Sequence, residues 1–173
     1  MSADVTLSLG VVVERRELNS SWQEHDWRPF AVVADPPPMP AWHEIGRGEG
    51  WVRYHAADLP LELHRGETEG YKVNLGQPTP KVFVVLRPGD ADEAAEVEPF
   101  HLTACPHEAM GYAESGDEIV EGVLMPEPVI AWVQAFVEAH HVDVPFKKRK
   151  NKRAAHEAGG TRPRGGRAGG QSW

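Results

Sequence analysis

A chain of 173 residues that is 40% hydrophobic and 25% charged has the length and composition of one globular domain. Residues 1–146 hold 9 basic and 25 acidic side chains, whereas residues 147–173 hold 9 basic and 1 acidic, so an acidic body precedes a basic arm. That split sets the body against nucleic acid and anionic membrane, and a single cysteine, Cys105, excludes an internal disulfide framework and points to a reducing compartment.

Seventeen glycines and fifteen prolines predict many short elements joined by tight turns. Val5–Val13 predicts a first strand, and "WRPFAVVAD" a second, closed by Pro36–Pro38. The glycines of "GRGEGW" (Gly46, Gly48, Gly50) lead into a strand, so they read as a turn between strands and not as a phosphate loop, which needs a helix N-terminus behind it. "GWVRYHAADLPLELHR" predicts two strands with a turn near Asp58–Pro60. In the second of them Leu59, Leu61 and Leu63 alternate with Pro60, Glu62 and His64. "KVFVVLR" predicts an apolar strand ending at the Pro88–Gly89–Asp90 turn. An acidic loop, Asp90–Glu96, then precedes the strands "VEPFHLTA" and "EIVEGVLM".

Two helices are expected. Pro106–Ser115 has an early proline, Glu108 in its first turns and Gly116 as a stop. In Pro128–His141, Val129, Val133, Phe136, Val137 and His140 share one face, with Ala131, Gln134 and Glu138 opposite. The fold class is therefore α+β and mostly antiparallel β. We expect a twisted sheet or partial barrel of about six to seven strands with a short helix and a C-terminal covering helix. Residues 1–146 form the globular domain, and the Lys/Arg/Gly-rich arm 147–173 is too polar to offset its ordering entropy and is expected to be disordered. The opening residues lack the order of a signal peptide, and Arg15–Arg16 follows the apolar run instead of preceding it. Apolar runs such as "VFVVL" fall far short of the about 20 residues of a membrane span, so a cytoplasmic location is expected.

Several residues are candidates for chemistry. The polar stretch Arg65, Glu67, Glu69, Tyr71, Lys72 and Asn74 follows a predicted strand end, where binding loops often sit. It is the candidate for gripping a small molecule or a pterin-type cofactor. Cys105 opens a helix near His107, a pattern that lowers a thiol pKa or contributes to a metal site. Without a partner cysteine, a structural thiol and no bound metal or cofactor are expected. His140 and His141 are adjacent and point about 100° apart on a helix, so packing is expected over chelation. Trp22 and Trp27, in loop-like sequence, and the cluster Lys147, Lys148, Arg149 and Lys150 are candidates for binding a protein partner. RNA binding through the arm is opposed by the acidic body and by the lack of aromatics among its Arg-Gly pairs. No catalytic set is recognisable.

The segments "GVVVERR", "LELHRGETEGYKVNL", "PKVFVVLR", "LTACPHEA", "ESGDEIVEGVLMPE" and "WVQAFVEAHHVDVPFKKRK" occur in an order that resembles the bacterial domain of unknown function 3305 family, over roughly residues 9–150. Genes of that family tend to lie beside those for molybdenum-dependent formate dehydrogenase. The resemblance therefore implies an accessory or maturation role, with a formate dehydrogenase subunit or a maturation factor as partner. Members are sometimes labelled as a molybdopterin guanylyltransferase. Here the first strand runs into "ERRELNSSW" without a glycine-rich nucleotide loop, and the alternating βα pattern is missing, so that activity is not expected.

Overall fold

Apolar residues at every second position build the first strand, β1 (Val5–Glu17), in which Leu9, Val11 and Val13 are fully buried. The computed structural model describes residues 3–18, 25–90 and 95–142. The strands that follow are β2 (His25–Ala34), β3 (His43–Gly48), β4 (Trp51–Leu63), β5 (Lys81–Pro88), β6 (Val97–Thr103) and β7 (Ile119–Leu124). Three helices, α1 (Thr68–Leu75), α2 (Pro106–Ser115) and α3 (Glu127–His140), complete the described elements of an α+β fold.

The strands make a single sheet in the order β2-β1-β4-β6-β5-β7, with β3 added beside β4. Pairing is antiparallel except where β4 meets β6 in parallel at Leu61 and Leu102. That one junction links the β1–β4 half of the sheet to the β5–β7 half. The sheet curls until β2 and β7 face each other across a seam, where Arg28 Nη1 lies 3.6 Å from Glu121 Oε2, so the barrel is nearly closed. Its interior is filled by Leu9, Val11 and Val13 with Val32, Leu61, Leu63, Val82, Val84, Leu86 and Leu102.

The α3 helix buries Val129, Val133, Phe136 and Val137, the face its periodicity predicts. Each such side chain contributes about 1.5–3 kcal/mol by leaving water, which holds the helix on the core. His140 packs its ring against Phe136 at 4.7 Å between centroids, and His141 Nδ1 is hydrogen-bonded to Thr68 Oγ1 at 3.0 Å. Gly116 ends α2 in the left-handed region, φ 86°, as its place in the sequence predicts. No helix among the described residues is long and apolar enough to cross a membrane.

Three local expectations are corrected. The turn near Asp58–Pro60 does not form, because β4 runs unbroken through it and Pro60 pairs with Ser8. At that point β3 has already left β4 at His55 and β6 joins only at Leu61, so proline's missing donor interrupts no ladder on that edge. Gly46 and Gly48 belong to β3, and the turn narrows to Glu49–Gly50, with Gly50 at φ 80°. Residues 68–75, read as a loop, form α1. Trp22, Lys147, Lys148, Arg149, Lys150 and the arm expected to be disordered lie outside the described residues.

Candidate functional site

The stretch Arg65–Asn74 divides by helix face. Arg65 and Glu67 lie in a 3-10 turn leading into α1, which buries Thr68, Gly70, Tyr71 and Asn74. Tyr71 is 1% exposed; its hydroxyl accepts the His64 backbone N–H at 2.9 Å and donates to Glu67 at 3.4 Å. Burial, chiefly, pushes its phenol pKa upward. Asn74 uses both amide hydrogens and its carbonyl: Nδ2 donates to Lys81 O at 2.7 Å and Ala104 O at 2.9 Å, and Oδ1 accepts Lys81 N–H at 3.0 Å. One side chain thus clasps α1 to the start of β5 and to the approach to α2. Arg65, by contrast, is exposed, donating its backbone N–H to Asp4 at 2.7 Å, and Glu69 is exposed on the helix's other face. Arg65 thus faces solvent, whereas Tyr71 faces the core.

Cys105 is buried, and a Cβ added to Gly70 would lie 2.5 Å from its Sγ, so α1 rests directly on the sulfur. Its backbone N–H donates to Thr103 Oγ1 at 3.0 Å, and that hydroxyl donates to Glu108 Oε1 at 2.6 Å. In a capping box the N3 carboxylate reaches the N-cap N–H directly; here the threonine hydroxyl relays the contact. The other oxygen of Glu108 is 2.9 Å from His101 Nε2. The histidine holds the Glu108 carboxyl below its ordinary range, against the opposing effect of burial and with help from Thr103. His107 is exposed on the same helix. Among the described residues no group of three or more His, Cys, Asp or Glu side chains is placed to hold a metal ion.

Trp27, a candidate for an exposed partner-facing indole, is 6% exposed. It packs edge-on to Trp42 at 5.7 Å, and its Nε1 donates to Glu96 at 2.9 Å. Its ring lies on the same face as Val32 and the core, because the extra residue at Phe30 shifts the alternation along β2 by one.

A different surface emerges on the outside of β2, β1 and β4. Glu14 and Arg16 alternate outward on β1. Glu14 lies opposite Arg28 of β2 and Arg53 of β4, and Arg16 lies opposite Asp26 and Trp51. The Glu14 side chain is only 7% exposed and accepts Arg16 Nε on Oε1 at 2.6 Å and Arg53 Nε on Oε2 at 2.8 Å. The Arg53 guanidinium lies 3.7 Å from the Phe30 ring centroid and 4.1 Å from that of Trp51. Phe30 is the extra residue where the β1–β2 register shifts, between the partners of Val12 and Val13, and is 44% exposed. Arg28 is bonded to Asp26 at 2.8 Å on the same face. The result is an ordered array of arginines, aromatics and one buried carboxylate. The i, i+2 spacing of Glu14 with Arg16 and of Trp51 with Arg53 is its signal in the sequence.

Burial alone would raise the Glu14 pKa; the bonds and charges of Arg16 and Arg53 outweigh it and hold the carboxyl below the ordinary value of 4.5. A carboxylate depressed in the folded state stabilises the fold above the ordinary value, and that stabilisation is lost as pH falls through the lower folded value. Glu14→Gln should therefore lower the urea midpoint at neutral pH, and its deficit should shrink below about pH 4.5. Unfolding titrations from pH 7 to 2.5 read this directly, and a deficit independent of pH would remove Glu14 as the titrating group.

Fold and site together define a small, helix-covered, nearly closed and mostly antiparallel barrel with a guanidinium–aromatic outer face. The chain belongs to the family described as "Protein of unknown function (DUF3305)", whose model matches residues 8–150. No curated protein and no solved structure matches it.

Proposed function

We propose that this domain is a non-enzymatic accessory factor that works in the cytoplasm by binding another protein. The observation that carries the reading is the Phe30–Arg53–Trp51 stack, with Phe30 exposed and the arginine already fixed by Glu14. Arginine and aromatic side chains dominate the energetic centres of protein interfaces. An arginine ordered before contact has little rotamer entropy left to lose on binding. The partner proposed is the catalytic subunit of molybdenum-dependent formate dehydrogenase or a factor in its maturation, on the strength of the gene neighbourhood of the family.

A photo-crosslinking residue in place of Phe30, in the native host, should capture that subunit or factor. Deletion of the gene should lower molybdenum loading and formate oxidation, and Arg53→Ser should reproduce the loss in a folded protein. Full metal loading and formate oxidation in the deletion strain would overturn the formate dehydrogenase assignment. A crosslink pattern unaffected by Arg53→Ser would overturn the surface.

A further inference from the structure

An arginine that grips a carboxylate side-on uses Nε and a terminal nitrogen together, as Arg47 does on Glu44 at 2.8 and 2.7 Å. Arg16 and Arg53 behave differently. Each meets Glu14 through Nε, one on each oxygen, so their terminal nitrogens are not spent on it. Both side chains reach solvent, at 59% and 30% exposure, while the carboxylate between them does not. The two guanidiniums are therefore tethered to opposite oxygens of one buried group, close together and with their orientation fixed. Trp51 completes the setting: a Cβ at Gly48 would collide with its indole, so the glycine is what lets the ring lie along β3 and reach Arg53.

Within this triad two guanidiniums and one carboxylate leave an excess of one positive charge, while Arg28 beside it is already matched by Asp26 and Glu121. One further carboxylate balances it. A doubly charged phosphate would instead add net negative charge beside the buried Glu14, and a nucleic-acid backbone would meet the acidic body as well.

We propose that the outer face is a carboxylate-recognition site. The terminal nitrogens of Arg16 and Arg53 take a Glu or Asp side chain from an acidic segment of a partner protein, and Phe30 and Trp51 take the apolar residues that flank it. Glu14 is the positioning residue, acting through the two arginines. This deepens the reading of the face as a protein-docking surface and rests on it. Lysine does not substitute for Arg53, because it has neither the planar fork nor the stacking between two rings.

The test uses the full chain titrated with a short peptide of alternating Glu and Phe and with its Gln-for-Glu counterpart. The side-chain Nε–H resonances of Arg16 and Arg53 and the Trp51 indole resonance are followed by NMR. The Glu peptide should shift all three, bind more weakly as salt rises, and lose roughly tenfold in affinity in Arg53→Lys and in the solvent-facing variant Arg16→Gln. Equal binding of the Gln peptide at the same resonances would overturn the carboxylate assignment and leave the docking surface standing, since the Phe30 crosslink reads that separately. Unchanged affinity in both arginine variants would overturn the assignment of these side chains. Tighter binding of a phosphoserine peptide, or of a single-stranded RNA, would overturn it in favour of phosphate. No shift with any of these probes would overturn the site.

Discussion

Asn74→Ala is expected to destabilise the fold by about 3–5 kcal/mol. The side chain is 2% exposed and ties three elements with three hydrogen bonds. Its removal leaves the N–H and carbonyl of Lys81 and the carbonyl of Ala104 without their partner, each orphaned group at about 1–3 kcal/mol when buried. Lys81 is partly exposed, so water recovers some of that loss and the total stays below the simple sum. Aspartate is no remedy, because it has no amide hydrogens to donate and brings a charge into the core. Urea unfolding followed by tryptophan fluorescence and by far-ultraviolet circular dichroism measures the change. A loss under about 1 kcal/mol would mean that α1 is held by packing alone.

Tyr71→Ala should remove a similar amount, about 3–5 kcal/mol, for an apolar reason. The ring is buried among α1, α3 and the sheet and meets Phe136 edge-on at 6.2 Å, so truncation opens a cavity. Tyr71→Phe keeps that packing and removes the acceptor of the His64 N–H and the long bond to Glu67, for which about 1–2 kcal/mol is expected. The difference between the two variants separates ring from hydroxyl. Because burial raises the phenol pKa, the wild type should also lose stability as pH climbs past the ordinary value of 10.0, where only the unfolded chain ionises. The phenylalanine variant should lack that alkaline component, and an identical alkaline slope in both would assign it elsewhere.

These two residues show what the sequence could and could not reveal. Both stood out as part of a polar stretch, and their partners were invisible because Lys81, Ala104 and Phe136 lie in other elements. Helix α1 is hidden in the sequence for a related reason. Its buried face is Thr68, Gly70, Tyr71 and Asn74, so hydrophobic periodicity has a single large apolar residue to register. Helix α3 has four, and was legible from Val129 to Val137. The proline in β4 suggested a turn because local rules do not say where a neighbouring strand is missing, and that absence is what allows Pro60 to stay. The outer-face array was hidden in the same way. Glu14 and Arg53 are 39 positions apart, and only the β1–β4 register makes them opposite numbers. The paired arginines at 15 and 16 looked like one feature, yet the pleat sends them to opposite faces. Arg15 lies 5.9 Å from the Trp27 ring centroid on the core side, and Arg16 is on the outside. Family membership, by contrast, was carried by segments spread along nearly the whole body and needed no long-range pairing to be seen.

The seam between β2 and β7 has a further consequence. A sheet that stops short of closing keeps unpaired backbone edges, here on β2 and β7 among others, and such edges template the addition of strands from other chains. Here Pro29 removes a donor from β2, and beside it Arg28 and Glu121 set opposite charges across the gap. An incoming strand would have to strip water from both charges. At this seam, resistance to edge-to-edge aggregation therefore rests in part on two side chains, Arg28 and Glu121, that lie outside the core.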